Sequence, residues 1–329
     1  MAICHGVIAL NWRRRRGDHT VEMRQLQALL AVADTGSVTK AAELLHIVQP
    51  AVTRQIHNLE AELGTSLFDR SRSGMRLTEI GAQVVERARR ALNELDRARE
   101  EARTSGAGLH GIVTVGLLAS TASLLAVPLV SAVTERHPGV RLRVVTGYGG
   151  HLSRWLEAGD VDVALTYNQP PATGLDVKPL LEEALWAVAP PAAATVRPEG
   201  VDLSELLLQS LVMPSAPHAI RSLVESAAAR LNVPLDIAVE TNDAGVQKQL
   251  VQSGLGWTVL PGIMVADEAA GGVLNSSPIV NPEIPRKIVL VRPSGTRAPG
   301  AGRMVADLLE DVVLTRIASG KWPSARLVV

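Results

Sequence analysis

Cysteine occurs once in 329 residues, as Cys4. The chain can therefore form no internal disulfide and no cysteine-built metal site, and a reducing compartment suits it. Aromatic residues are nearly missing, at 2%, which argues against single-strand nucleic-acid platforms built from exposed rings. No apolar run approaches the ~20 residues that span a bilayer. The mildly apolar residues 2–10 precede the run Arg13–Arg16, whereas a secretory signal carries its positive charge first. A cytoplasmic protein without membrane contact is expected. Neither sign of charge is in excess, with Lys+Arg and Asp+Glu at 33 each, so only the placement of charge can reveal a polyanionic partner. Catalytic signatures are missing too. Gly254-Leu255-Gly256 reads as a turn into a strand rather than a phosphate loop, and there is no His/Glu metal motif and no serine elbow. Neither an enzyme nor a cofactor or metal is expected.

What is present suits two or three ordinary globular domains, with 47% hydrophobic and 20% charged residues. The periodic pattern begins at Met23. Residues 1–22 are expected to be a disordered or misassigned extension, the alternative being a basic arm that touches phosphates through Arg13–Arg16.

Residues 23–81 read as a compact helical module. A first helix over Met23–Ala33 places Leu26, Leu29, Leu30 and Ala33 on one face. Gly36 breaks it and Ser37 caps a second helix, whose inner face is Ala41, Ala42, Leu44 and Leu45. Small alanines there let helices approach closely, as a helix-turn-helix requires. A third helix starts near Gln49-Pro50, with proline in the turn where its missing N–H costs least. Val52, Ile56, Leu59 and Leu63 form its inward stripe, and Gln49, Thr53, Arg54, His57 and Asn58 face out, able to reach base edges and phosphates. After Gly64, residues 65–78 read as a hairpin with Gly74 at its tip and Arg70, Arg72 and Arg76 along it, suited to phosphates or a minor groove. Read alone, these polar positions fit a solvated helix face as well as a DNA-reading one.

The stretch MRQLQALLAVADTGSVTKAAELLHIVQPAVTRQIHNLEAELGTSLFDRSRSGMRLTEIG resembles the N-terminal domain of LysR-type transcriptional regulators over its whole length. The resemblance implies a winged helix-turn-helix, with Gln49, Pro50, Thr53 and Arg54 at the family's DNA-contacting positions. Ser37, His57, Asn58, Arg70, Arg72 and Arg76 complete the candidate DNA-contacting set. Two departures stand out: Val38 replaces a common phenylalanine, and Val48 replaces a usual serine, removing a cap or phosphate contact.

Residues 78–104 read as a long linker helix. Thr78 caps it, and Val84, Ala88, Ala91, Leu95, Ala98 and Ala102 recur at spacings of three and four between flanking charges, a heptad seam of small residues. The seam serves either to dimerise the chain or to lay the helix on its own domain. Dimerisation is what the resemblance implies, with tetramers to follow. The partners it implies are double-stranded promoter DNA bearing an interrupted inverted repeat, a small organic effector, and RNA polymerase as a further candidate. Residues 104–108 read as a hinge.

From residue 111 strands and helices alternate, as in a mainly parallel sheet covered by helices. Breaks at Ala184–Pro190 and Arg286–Arg292 read as crossovers between two α/β lobes, one of residues 111–186 and 288–329, the other of 187–287. This region, 111–329, resembles the two-lobed periplasmic-binding-protein-like effector domain of the family. The whole chain is therefore expected to be an α+β multidomain protein. Residues following strands are the candidates to line the interlobe cleft: Ser120, Thr121, Tyr148, Gly149, Tyr167 and Asn168 in one lobe, and Ser215, His218, Thr241 and Asn242 in the other. Hydroxyls and helix-start N–H groups suit a small anion. Ser120, Thr121 and Ser215 equally suit plain helix caps, His218 a solvated loop and Tyr167 a packed rim. The stretch from Gly149 to Val188 is similar to the branch containing nitrogen assimilation control regulators, which leaves an effector-independent regulator as the alternative.

Overall fold

In a computed structural model, residues 21–71, 74–103, 109–193, 197, 199–294 and 300–328 are described. The run Arg13–Arg16, Arg72 and the hinge 104–108 lie outside the described residues. Two compact units divide inside one long helix, between Asp96 and Arg97.

The N-terminal unit comprises α1 (Met23–Thr35), α2 (Val38–Leu44), α3 (Gln49–Leu63), the antiparallel hairpin β1 (Phe68–Ser71) and β2 (Gly74–Leu77), and the first turns of α4 (Glu79–Arg103). Gln25 Oε1 accepts from the Glu22 N–H at 2.6 Å to open α1, and Gly36, at φ 63°, closes it. The buried side of α1 is Gln25, Ala28, Leu29, Ala31 and Val32. Leu26, Leu30 and Ala33, expected to lead the inner face, are only partly buried. The small Ala28 and Ala31, with Ala41 and Ala42 of α2, make up the tightly packed centre, which turns the inward face of α1 toward them. Val52, Ile56 and Leu59 of α3 are buried as expected. Leu44 and Leu63 are exposed instead, each being the last residue of its helix, beyond the packed turns. The hairpin is held to the helices through the Met75 N–H, which donates to Gly36 O at 3.0 Å. At Gly74, φ is 116° and a Cβ would stand 2.7 Å from Gly36 O, so that close approach requires glycine.

Thr78 opens α4 as the sequence suggests, its Oγ1 accepting from the Gly81 N–H at 2.9 Å. The helix then changes character along its length. Gly81, Val85 and Ala88 are buried in the N-terminal unit, while Ala91, Leu95 and Ala98 of the same helix are exposed.

The C-terminal unit runs β3 (Gly111–Leu118), α5 (Ala122–Arg136), β4 (Val140–Gly147), α6 (Gly149–Ala158), β5 (Val163–Tyr167), β6 (Leu175–Ala189), β7 (Val201–Asp202), α7 (Leu203–Leu206), β8 (Leu211–Met213), α8 (Ala219–Arg230), β9 (Ile237–Glu240), α9 (Ala244–Gln252), β10 (Thr258–Pro261), a 3-10 turn (Gly262–Met264), α10 (Ala266–Ala270), β11 (Asn275–Val280), β12 (Pro285–Pro293), α11 (Gly300–Ala318) and β13 (Ala325–Leu327). Within the first lobe β4, β3 and β5 are parallel, and β12 and β6 continue the sheet antiparallel. In the second lobe β10 and β11 flank the far end of β6, also antiparallel, and β8 pairs with β9 in parallel. The sheet is thus mixed rather than mainly parallel. The reversals occur where β6 leaves the first lobe and β12 returns to it, since a chain that crosses and comes back must run against its neighbours. β6 is the backbone of the unit: Leu175–Ala184 pair with β12, and Leu185–Ala189 pair with β10 and β11. Each lobe has its own buried core, one around Leu117, Leu125, Leu152, Leu165 and Leu309, the other around Leu185, Leu206, Met213, Val224 and Val259.

Candidate functional site

The first candidate surface is the outer face of α3. Its buried stripe fixes the roll of the helix, so Gln49, Pro50, Arg54, His57 and Asn58 are exposed, with Thr53 half-buried beside them. Ser37 acts as the N-cap of α2, its side chain accepting from the Lys40 N–H at 3.5 Å. Val48 takes the N-cap place of α3 and supplies no capping bond, so the first N–H groups of α3 are left for other acceptors. Arg76 is exposed on β2 and Arg70 stands on β1. Backbone N–H groups, an arginine and amide side chains at the start of one helix are the equipment for base edges and phosphates.

The second candidate site is a cavity of about 290 Å³ between the lobes of the C-terminal unit. This lies at the small end for ligand sites. Ser120, Tyr148 and Tyr167 from the first lobe meet His218 and Asn242 from the second on its walls. Leu118, Ile220, Leu260, Pro261 and Met264 make the rest of the lining mostly apolar. The Tyr148 hydroxyl crosses the cleft and donates to Asn242 O at 2.6 Å, and the ring meets His218 edge-on at 5.2 Å.

The other five candidates lie outside its lining. Thr121 is fully buried and its Oγ1 donates to Leu118 O at 3.1 Å, a turn contact. Gly149 lies so near Tyr167 that a Cβ would meet the ring at 2.8 Å. The Ser215 N–H donates to Asn242 Oδ1 at 3.0 Å and so orients that side chain. The Thr241 N–H donates to Met213 O at 3.0 Å. Asn168 ties the end of β5 to β12 through Lys287 and lies on a separate surface groove.

Sequence reasoning missed the charged pair at the cleft floor. Arg286 on β12 lies directly opposite Glu183 on β6, and the two are 4% and 0% exposed. Glu183 Oε2 accepts from Arg286 Nε at 2.8 Å and Nη2 at 2.5 Å. Its Oε1 accepts from Trp322 Nε1 at 2.8 Å and Ser324 Oγ at 3.1 Å. Arg286 Nη2 also donates to Ser120 Oγ at 2.8 Å, and the guanidinium lies 5.8 Å from the centre of the Tyr167 ring. Burial pushes the Tyr167 phenol up, against the opposing pull of Arg286 and a backbone contact with Gly149. Burial and, secondarily, the Arg286 charge lower the pKa of His218, disfavouring its charged form. Its Nδ1 is buried and has no hydrogen-bond partner among the described residues. No local pattern announces this network, because Glu183 and Arg286 are 103 positions apart.

Comparison with known proteins accords with this architecture. The chain is 32% identical over 242 residues to the nitrogen assimilation regulatory protein nac of Klebsiella aerogenes, covering 73% of this chain and 78% of that one. In fold it is similar to a full-length single-residue variant of OxyR from Pseudomonas aeruginosa, with a TM-score of 0.68 at 24% identity over 94% of this chain and 98% of the other. It is also similar to full-length CbnR in complex with its target DNA, with a TM-score of 0.64 at 23% identity, covering 89% and 99%. Residues 23–82 match the bacterial regulatory helix-turn-helix protein, lysR family, and residues 106–313 match the LysR substrate binding domain. The chain therefore belongs to the LysR family, as a transcriptional regulator with an N-terminal helix-turn-helix and a C-terminal ligand-binding domain.

Proposed function

We propose that α3 is the recognition helix of this regulator, with Gln49, Pro50, Thr53 and Arg54 entering the major groove and His57, Asn58, Arg70 and Arg76 serving the flanking backbone. The observation that carries this reading is the exposed polar face of α3, set opposite the buried Val52, Ile56 and Leu59. The DNA complex solved for the similar CbnR supports it. Two chains pair through Ala91, Leu95 and Ala98 of α4, the exposed part of the seam, and dimers present two recognition helices to an inverted repeat. A small organic molecule held by Ser120, Tyr148, Tyr167, His218 and Asn242 favours one arrangement of the lobes and thereby one DNA-bound state. The protein works in the cytoplasm, where its promoter DNA is.

Arg54→Ala is expected to weaken specific DNA binding by about 1–3 kcal/mol if the arginine reads a guanine, or about 5- to 150-fold in affinity. Electrophoretic mobility shift against a site selected from random duplexes reads this directly. Wild-type affinity in the variant would remove Arg54 from the interface.

A further inference from the structure

We propose that the cleft selects a compact, largely apolar molecule whose polar end is an uncharged hydrogen-bond acceptor, such as an amide, ester or ketone carbonyl, in preference to a carboxylate. This rests on the reading of the interlobe cavity as the effector site.

The cavity walls ask for an acceptor. Ser120 Oγ already accepts from Arg286 Nη2, so its own O–H is left to donate. α5, α6 and α8 begin beside the cavity at Thr121, Tyr148 and His218, and none of the three has a side-chain cap bond. At α6 the Gly149 backbone already meets the Tyr167 hydroxyl, while the first N–H groups of α5 and α8 are donors in want of acceptors.

The charges around the cavity argue against an anion. Among the described residues, each nearby cation has a carboxylate partner. Arg286 is bound to Glu183, Arg221 of α8 to Glu225 and Glu240, and Lys248 of α9 to Glu268. Burial and the Arg286 charge disfavour a charged His218. A fourth helix, α9, also begins at the cavity, but Asp243 fills that place with its own carboxylate, Oδ1 accepting from the Val246 N–H at 2.9 Å. Asp243 brings a negative charge to the rim. A carboxylate entering here would lose its water among Leu118, Ile220, Leu260 and Met264, with each of these cations already engaged. A carbonyl of the same shape uses the same donors and loses far less hydration.

The test is a thermal-shift series on the full chain with matched amide and carboxylate pairs: benzamide and benzoate, cyclohexanecarboxamide and cyclohexanecarboxylate, isobutyramide and isobutyrate. At least one amide is expected to raise the melting temperature where its carboxylate partner, at equal concentration and pH 7, does not. Asp243→Asn is expected to improve the carboxylate's standing, since it keeps a capping side chain and removes the rim charge. Met264→Trp, which fills the cavity from a partly exposed position, is expected to abolish the amide shift. Carboxylate shifts without amide shifts, lost in Met264→Trp, would overturn the acceptor class and leave the cleft as the effector site. An amide shift that persists in both Met264→Trp and Ser120→Ala would place binding elsewhere and overturn the cleft reading itself. Silence from all six probes would also overturn the proposed class.

Discussion

Glu183→Ala is expected to destabilise the C-terminal unit by about 3–5 kcal/mol, the loss found when one partner of a buried ion pair is removed. Four donor contacts converge on this carboxylate, from Arg286 Nε and Nη2, Trp322 Nε1 and Ser324 Oγ. Alanine would strand all of them, leaving an arginine that is 4% exposed with no counter-charge. For a unit of this size each kcal/mol moves the melting temperature by about 2–4 °C, so a fall of about 6–20 °C should appear in a thermal melt. The damage should reach the cleft too, because the same guanidinium holds Ser120 Oγ. The double variant Glu183→Leu with Arg286→Met should recover much of the stability, since an apolar pair of similar volume avoids the desolvation cost of two ions. A Glu183→Ala melt superimposable on wild type would mean that Arg286 finds water or another partner, and that the floor of the cleft is looser than its geometry implies.

This pair also marks where sequence reading stops. The regular elements are legible because each carries a local signal. The alternation in Gly111–Leu118 and Val140–Gly147 points to two strands to the residue, and the caps at Ser37 and Thr78 stand where hydroxyls precede helical periodicity. The first ten residues of β6 escape such reading, because Pro179 and the pairs Leu180-Leu181 and Glu182-Glu183 break the alternation begun at Leu175–Lys178. β7 and β13, of two and three residues, offer too few residues for a period to emerge, and β11 opens on Asn275, Ser276 and Ser277 and contains Pro278. The cleft is half legible for the same kind of reason. A residue that follows a strand can be picked out from sequence, and five of ten such residues line the cavity. Which of them point inward depends on the twist and spacing of strands that meet only in three dimensions. Thr121 and Ser120 are neighbours, yet one side chain turns back to Leu118 O and the other meets Arg286. In sequence, α4 offers a choice between packing on its own domain and pairing with a second copy. Along the seam Val84 is half-buried and Ala88 buried, while Ala91, Leu95 and Ala98 are exposed, which leaves only that second part open to a partner.

Gly81→Val should disable the N-terminal unit, although residue 81 touches no expected DNA contact. The first turn of α4 packs so closely on the loop after α3 that a Cβ at Gly81 would lie 2.0 Å from Leu67 O and 2.9 Å from Leu67 C. Backbone atoms cannot swing aside as a side-chain end can. The Leu67 peptide is also pinned on both sides. Its N–H donates to Glu60 Oε1 of α3 at 2.7 Å, and its carbonyl accepts from the Thr78 N–H at 3.0 Å. Its side chain is fully buried. Relieving the clash must move either α4 or the strand that begins at Phe68, and with it the hairpin carrying Arg76. Overpacked sites cost about 1–3 kcal/mol and sometimes more, and valine at a site with no room for one carbon belongs at the upper end. A unit with only about 75 described residues buries too little surface to absorb such a loss easily. Hydrogen exchange should show faster exchange of the α1 and α3 amides in the full-length variant, and the mobility shift of a selected DNA site should be lost. Gln83→Val, on the exposed side of the same helix, should do neither, which separates the clash from the weak helix propensity of valine. Protected amides together with undiminished DNA binding in Gly81→Val would show that α4 can lift from Leu67 at little cost, and that the hairpin holds its place without it.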